Sequence, residues 1–97
     1  MNQEERTKID RRLARIEGQV RGLRKLVAES AYCCDILAQL SAASAALDQV
    51  AASVASNHIQ HCIADQGGAH AHEAAKKMSQ EELFEELEDV LKRLVKT

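Results

Sequence analysis

The chain has no proline and no tryptophan, and only one phenylalanine, one tyrosine and four glycines among its 97 residues. Proline and glycine are the residues that most often interrupt helices, so long helices can form without a break. Because aromatic residues are nearly absent, the core must be built from Leu, Ile, Val and the many Ala residues. The composition favours an all-α protein that forms a single small domain over residues 1–97.

Several features of other protein classes are missing as well. No stretch approaches the roughly 18 apolar residues that a membrane span needs, and the first ten residues do not resemble a signal peptide. We therefore expect a cytoplasmic protein without a membrane partner, in which three cysteines act as metal ligands or redox groups and not as structural disulfides. No activated serine, paired carboxylates or phosphate-binding loop is evident, so we expect no enzyme activity.

Basic residues are unevenly distributed along the chain. Residues 31–72 contain no Lys or Arg, whereas residues 1–30 contain eight, against five acidic residues. The formal net charge of the whole chain is only −2. A basic first segment on an otherwise acidic chain indicates one surface that faces an anion. An ordinary solvated helix face is the alternative explanation.

The first of three predicted helices begins after Asn2, which forms a cap-like pair with Glu5, and it extends to about Glu29. Its apolar residues are spaced alternately four and three apart, which is typical of a helix that packs along another helix. These residues are Ile9, Leu13, Ile16, Val20, Leu23 and Val27.

The second and third predicted helices are equally regular. The second covers residues 31–66, with Ser30 as its cap and Gly67 and Gly68 at its end. Its apolar stripe repeats Leu40, Leu47 and Val54 every seven residues, with Ile36 or Leu37, Ala43, and Val50 or Ala51 between them. The third begins after Ser79, which forms a capping box with Glu82. A loop that contains His70 and His72 separates these two helices, and both histidines are expected to lie on solvated surface.

Three residues that soft metals favour are placed so that one chain cannot bring them together. Cys33 is separated from His58 by 25 residues of predicted helix, or about 37 Å, whereas Cys62 lies on the same helix face as His58. A shared site would thus lie between two antiparallel chains, with the facing residue numbers summing to about 93. The twofold axis then falls near residues 46–47, in an Ala-rich stretch, and two helix pairs form a four-helix bundle.

The donor set of this site is two thiolates and one imidazole, which suits Cu(I) better than Mg, Ca or Mn, whereas Zn(II) would need a fourth ligand. Cys33 lies at a helix N-terminus, where the helix dipole favours negative charge. The neighbouring Cys34 points elsewhere and is interpreted as a bystander or a partly buried thiol. The structural alternative is that all three donors are simply buried residues of a helical core.

Three segments, RRLARIEGQVRGL (11–23), YCCDILAQL (32–40) and HIQHC (58–62), resemble the CsoR/RcnR family of bacterial metal- and thiol-responsive repressors. The resemblance implies antiparallel four-helix-bundle dimers that pair into flat homotetramers. It also implies that Cys33 of one protomer and His58 and Cys62 of the other bind Cu(I), with Tyr32 nearby and Glu86 hydrogen-bonded to His58. The linker before the third helix is longer than usual in the family, which leaves Glu82 and Glu85 as alternatives to Glu86.

The resemblance further implies a Cu(I)-responsive repressor that binds operator DNA in its metal-free form and dissociates from it when metal binds. One alternative is a persulfide-sensing repressor in which Cys33 and Cys62 become linked, and another is a copper-binding protein without DNA activity. Basic residues of the first helix are the candidate phosphate contacts. They are Arg11, Arg12, Arg15, Arg21, Arg24 and Lys25.

Overall fold

The structure is a computed structural model that describes residues 1–95, so the last two residues of the predicted domain lie outside the described residues. All regular secondary structure in residues 1–95 is helical, which confirms the predicted all-α class. The elements are α1 (Gln3–Ala28), α2 (Cys33–His58), a π-helical segment (Ile59–Ala64), α3 (Glu73–Lys76) and α4 (Gln80–Val95). No helix in this part of the chain is long and apolar enough to cross a membrane.

The chain divides into two compact units. The N-terminal unit comprises residues 2–55, and the C-terminal unit comprises Met1 and the residues from Ser56 onward. The prediction of one domain over the whole chain is not tested by this division and stays a prediction.

Helix α1 starts where the sequence predicts it. The backbone N–H of Glu5 donates to the side chain of Asn2 at 2.8 Å, and the backbone N–H of Asn2 donates to the carboxylate of Glu5 at 3.1 Å. This reciprocal capping box satisfies N–H groups that have no partner within the helix.

The predicted cap of the second helix was wrong, because Ser30 instead terminates α1. Ser30 has a φ of 53°, in the left-handed region, and its N–H donates to the carbonyl of Val27 at 3.1 Å. The N–H of Ala31 donates to the carbonyl of Leu26 at 2.9 Å, which completes a Schellman motif. Helix α2 therefore begins at Cys33, and the carbonyl of Tyr32 accepts its first backbone hydrogen bonds.

The second helix also ends differently from the prediction of one helix over residues 31–66. The α-helical geometry stops at His58, and a single π-helical segment continues to Ala64. Gly67 and Gly68 lie beyond its end. Short π-helical segments are rare in proteins, and those that occur often lie at functional sites. The residues from Ile59 onward are therefore candidates for a functional role.

In the N-terminal unit, only half of each predicted apolar stripe is buried. Ile9, Ile16 and Val50 form a cluster against which Ala46 packs, and Leu23 and Ala43 are also buried. The other half of the two stripes keeps between 41% and 62% of its surface exposed. These residues are Leu13, Val20 and Val27 on α1, and Leu40, Leu47 and Val54 on α2.

The C-terminal unit has a core of its own around the π-helical segment. Leu83 has no exposed surface, and it packs with Cys62, Ile63 and Ala75. The side-chain amide of Gln80 donates to the carbonyl of Ile63 at 2.9 Å. This hydrogen bond attaches the first residue of α4 directly to the π-helical segment.

A second glutamine, two residues beyond the end of this segment, holds the linker of residues 65–79. The side-chain amide of Gln66 donates to the carbonyl of Ala75 at 2.6 Å and also to the carbonyl of Met78. The amide oxygen of Gln66 accepts from the amide of Gln80 at 3.1 Å. Buried and half-buried carbonyls of the linker thus find side-chain partners, which lets the linker stay close to the core.

Helix α4 confirms the third predicted helix and its capping box. The backbone N–H of Ser79 donates to the carboxylate of Glu82 at 2.9 Å, and the N–H of Glu82 donates to the hydroxyl of Ser79 at 3.1 Å. The hydrogen bonds from the backbone and the side chain of Ser79 lower the pKa of Glu82. The short helix α3, which lies within the predicted loop, was not expected.

Candidate metal centre and DNA-binding surface

Cys33 is the first residue of α2, and its free thiol is exposed. The preceding Tyr32 is 71% exposed and caps the helix through its carbonyl oxygen, which accepts the N–H groups of Asp35 and Ile36. The N-terminus of α2 thus presents one thiol and one phenol to solvent. Cys34 is also an exposed free thiol, so the interpretation of it as partly buried does not apply to the single chain.

The other two predicted ligands lie where α2 gives way to the π-helical segment. His58, the last residue of α2, is half-buried. Cys62 is only 7% exposed and packs in the apolar core of the C-terminal unit. Its sulfur accepts a hydrogen bond from the backbone N–H of His72, with 3.4 Å between the two atoms.

The single chain does not assemble the predicted site. Cys33 and His58 are the first and last residues of the same helix of 26 residues. Among residues 1–95, no group of three or more Cys, His, Asp or Glu side chains is close enough to hold a metal ion. The assignment of the three donors to a site between two chains therefore stays a prediction.

The donor set itself fits a soft ion of low coordination number. All three cysteines are free, and Cys62 packs with Ile63, Ala75 and Leu83 in an apolar cluster. Thiolate and imidazole donors in apolar surroundings suit Cu(I) better than the oxygen-seeking Mg²⁺ and Ca²⁺. Cys33, His58 and Cys62 are thus chemically suitable ligands.

The predicted hydrogen-bond partner of His58 is a glutamate of the last helix, Glu86, with Glu82 and Glu85 as alternatives. Glu85 and Glu86 are exposed on α4, whereas Glu82 is engaged by Ser79. No hydrogen bond or ion pair joins His58 to Glu86 in the described part of the chain, and the proposed role of Glu86 stays a prediction. The engagement of Glu82 in the capping box favours Glu85 or Glu86 over Glu82.

Sequence reasoning missed one histidine next to the candidate ligands. His61 is only 9% exposed, and its ring contacts the ring of His70 edge-on, with 5.5 Å between the ring centroids. His70 and His72 are exposed, as predicted for the His-Ala-His loop. The sequence pattern did not predict the burial of His61. This burial depends on the π-helical turn, which changes the direction in which the side chains after His58 point.

The candidate DNA-binding surface lies on α1. The guanidinium of Arg12 donates to the hydroxyl of Ser53 on α2 at 3.0 Å. Arg21 pairs with Glu17 at 3.7 Å within α1. All six basic residues predicted to contact phosphates are exposed: Arg11, Arg12, Arg15, Arg21, Arg24 and Lys25.

An all-helical chain with a basic exposed first helix and Cys and His donors around its second helix has the features of a metal-responsive regulator that binds DNA. The sequence model of the metal-sensitive transcriptional repressors matches residues 5–93. The chain belongs to this family, which confirms the resemblance noted in the sequence. Family membership implies DNA binding and oligomerisation.

Two characterised relatives share this sequence pattern. The copper-sensing transcriptional repressor CsoR of Bacillus subtilis (strain 168) is 42% identical over 93 residues, covering 96% of this chain and 84% of the relative. The copper-sensing transcriptional repressor RicR of Mycobacterium tuberculosis (strain H37Rv) is 45% identical over 53 residues, or 55% of each chain.

Two solved structures share the fold. The crystal structure of the copper-sensing repressor CsoR with Cu(I) from Geobacillus thermodenitrificans NG80-2 superimposes with a TM-score of 0.81 at 43% identity, covering 99% of this chain and 92% of that chain. The nickel-responsive transcriptional regulator InrS superimposes with a TM-score of 0.68 at 34% identity, covering 92% of this chain and 91% of that chain.

Proposed function

We propose that this chain is a Cu(I)-responsive transcriptional repressor of the cytoplasm, which binds operator DNA in its metal-free form and releases it when Cu(I) binds. The observation that carries the proposal is the donor set of two free thiols and one imidazole at Cys33, His58 and Cys62. The two relatives named as copper-sensing repressors and the related structure with Cu(I) support copper over nickel as the metal.

Cys33 of one protomer and His58 and Cys62 of its partner would hold the ion. When bound, Cu(I) supplies a link between two chains that neither chain can make alone. The chain's own part is to keep one thiol at the first residue of α2, the imidazole at its last residue and the other thiol four residues later, so that only an antiparallel pair completes the set. Metal occupancy is then tied to quaternary structure.

The exposed apolar residues of α2 support this antiparallel dimer. Leu40, Leu47 and Val54 are seven residues apart, and each keeps more than two fifths of its surface exposed. If Leu47 lies on the twofold axis, Leu40 of one chain faces Val54 of the other, and facing residue numbers sum to 94. The ligand spacing independently requires a sum of about 93. Pairing of such dimers into a flat homotetramer is part of the same proposal.

DNA binding is assigned to α1. Its exposed arginines and lysine contact phosphates, so affinity depends on the release of counterions and falls steeply with salt. Arg15→Gln is expected to weaken binding to all sequences and to flatten the salt slope by about 0.9 per lost contact per chain. Arg93→Gln, an exposed basic residue of α4, is the matched control. Equal slopes for both variants and the unmodified protein would place the DNA surface elsewhere.

An anaerobic Cu(I) titration tests the function directly. Thiolate absorption in the ultraviolet and the fluorescence anisotropy of bound promoter DNA are followed in the same sample. We expect both signals to reach their end point at one Cu(I) per chain. Cys33→Ser should abolish the coupled response, whereas Cys34→Ser should keep it.

Three further measurements separate the rival functions. A persulfide sensor needs both thiols but not the imidazole. For such a sensor, His58→Ala would leave the release of DNA by persulfide intact. For a Cu(I) sensor, the same variant would weaken the release of DNA by copper. A copper-binding protein without DNA activity would show the absorption change but no salt-dependent binding to promoter DNA. X-ray absorption with four nitrogen or oxygen ligands, together with tighter binding of nickel or zinc, would contradict the copper assignment.

A further inference from the structure

The sulfur of Cys62 has a hydrogen-bond donor that does not come from the predicted site. The backbone N–H of His72 points at this sulfur across 3.4 Å, ten residues further along the chain. Cys62 is almost fully buried, so little water competes for the sulfur. Both residues belong to the C-terminal unit.

The position of His72 is fixed by its own neighbours. Its imidazole Nδ1 accepts the backbone N–H of Ala74 at 3.1 Å and so caps α3. The carbonyl of His72 accepts the N–H groups of Ala75 and Lys76. Ala75 is buried against Cys62 and Leu83. The linker thus holds the N–H of His72 in place through α3, which is anchored in the core.

We propose that the backbone N–H of His72 is a positioning group for the metal-binding sulfur of Cys62, and that the linker thereby strengthens Cu(I) binding by this chain. The inference rests on the proposed function and deepens it. A hydrogen bond to a charged acceptor is about twice as strong as one to a neutral acceptor. The N–H therefore favours the metal-bound thiolate over the free thiol.

A proline at position 72 removes this donor with little other change. The φ of His72 is −70°, within the range that the proline ring imposes. His72→Ala is the matched control, because it also lacks the capping imidazole but retains the backbone N–H. The two variants therefore differ chiefly in the hydrogen bond to Cys62.

We expect His72→Pro to bind Cu(I) about five- to tenfold more weakly than His72→Ala, as measured by competition with a Cu(I) chelator of known affinity. Equal affinities of the two folded variants would overturn the inference. If the unmodified protein shows no thiolate-to-Cu(I) absorption at all, the proposed function fails instead, so the two failures are distinguishable.

A measurement on the unmodified protein keeps the test independent of whether His72→Pro folds. Amide hydrogen exchange at His72 should be slow in the metal-free protein and slower still after addition of one Cu(I) per chain. The neighbouring amide of Ala74, bonded to the imidazole, is the internal reference. Exchange at His72 that is unchanged or faster after Cu(I) addition would show that the N–H does not support the metal-bound sulfur.

Discussion

The two compact units differ in how completely they enclose their core side chains. In the N-terminal unit, six large aliphatic residues at seven-residue spacing remain partly exposed, and the buried residues still keep 6–9% of their surface exposed. In the C-terminal unit, Leu83 and Ile63 are fully enclosed, and two glutamine side chains satisfy carbonyls around them. Both units leave apolar surface for a second chain, since Phe84, Val90 and Leu94 of the C-terminal unit also keep 43–55% of their surface exposed. Only the core around the π-helical segment is fully enclosed within one chain.

The two units also contain different parts of the proposed function. The N-terminal unit contains the exposed basic residues of α1 and the exposed stripe of α2, which are the proposed surfaces for DNA and for a second chain. The C-terminal unit contains the buried sulfur of Cys62, held by contacts within the chain. In the proposed dimer, a candidate ligand that is fixed within its own chain would couple metal binding to quaternary structure.

The largest expected effect comes from a charge in the exposed stripe. Leu47→Asp removes two leucines from the proposed twofold axis, each worth about 1.5–3 kcal/mol on burial, and adds two facing negative charges. Dimer affinity should fall at least about hundredfold in sedimentation equilibrium. Gln49→Glu adds the same charge on the opposite side of α2 and should leave the dimer intact. An unchanged assembly of Leu47→Asp would contradict the antiparallel dimer.

The core of the C-terminal unit should be sensitive to cavities. Leu83→Ala removes a fully buried side chain and should lower the free energy of unfolding by about 3 kcal/mol. The adjacent Phe84 is 55% exposed, so Phe84→Ala should cost less than about 1 kcal/mol. Urea denaturation at one fixed protein concentration measures both, because assembly adds to apparent stability. Similar losses for the two variants would show that this core is not closed.

The coupling between the metal site and DNA is the next effect in size. Glu86→Ala should leave Cu(I) affinity largely unchanged, since both thiols remain, but it should reduce the metal-driven loss of DNA affinity. Coupling of this kind is typically about 1–3 kcal/mol. Asp89→Ala, which removes another exposed carboxylate of α4, is the matched control, and Glu85→Ala tests the alternative partner of His58. Full copper-induced dissociation by Glu86→Ala would mean that this residue takes no part in the switch.

The smallest effect is expected at the start of α4. Ser79→Ala removes the capping hydroxyl and should cost about 1 kcal/mol in thermal or urea unfolding at neutral pH.

The cap also predicts a pH dependence. Because the backbone and side chain of Ser79 lower the pKa of Glu82 below 4.5, the stabilisation by the Glu82 carboxylate is present above pH 4.5. It is lost as the pH falls through the lowered value. Glu82→Gln should therefore be less stable than the unmodified protein at neutral pH and equally stable at strongly acidic pH, and a difference that persists in acid would argue against this origin.

Helix limits were predictable where side chains fix them locally. The pairs Asn2–Glu5 and Ser79–Glu82 each consist of a capping residue and a carboxylate three positions later, and both form as predicted. Ser30 has the same chemistry as a capping residue, but the hydrogen bonds of Ser30 and Ala31 close the end of α1. A serine between two helices can serve either one, and only the backbone conformation decides which.

The amino-acid sequence by itself determined that the chain is all-helical, where its long helices lie, and which Cys and His residues are the candidate ligands. Spacing is a local property, and helix periodicity converts it into faces. Only the tertiary structure decided which half of each stripe is buried, since Ile16 and Val20 fit the same pattern and differ only by the rotation of α1 about its axis. The tertiary structure also decided that Cys62 is buried and that its sulfur accepts the N–H of His72. This contact depends on a π-helical turn and on a linker that folds back onto the core.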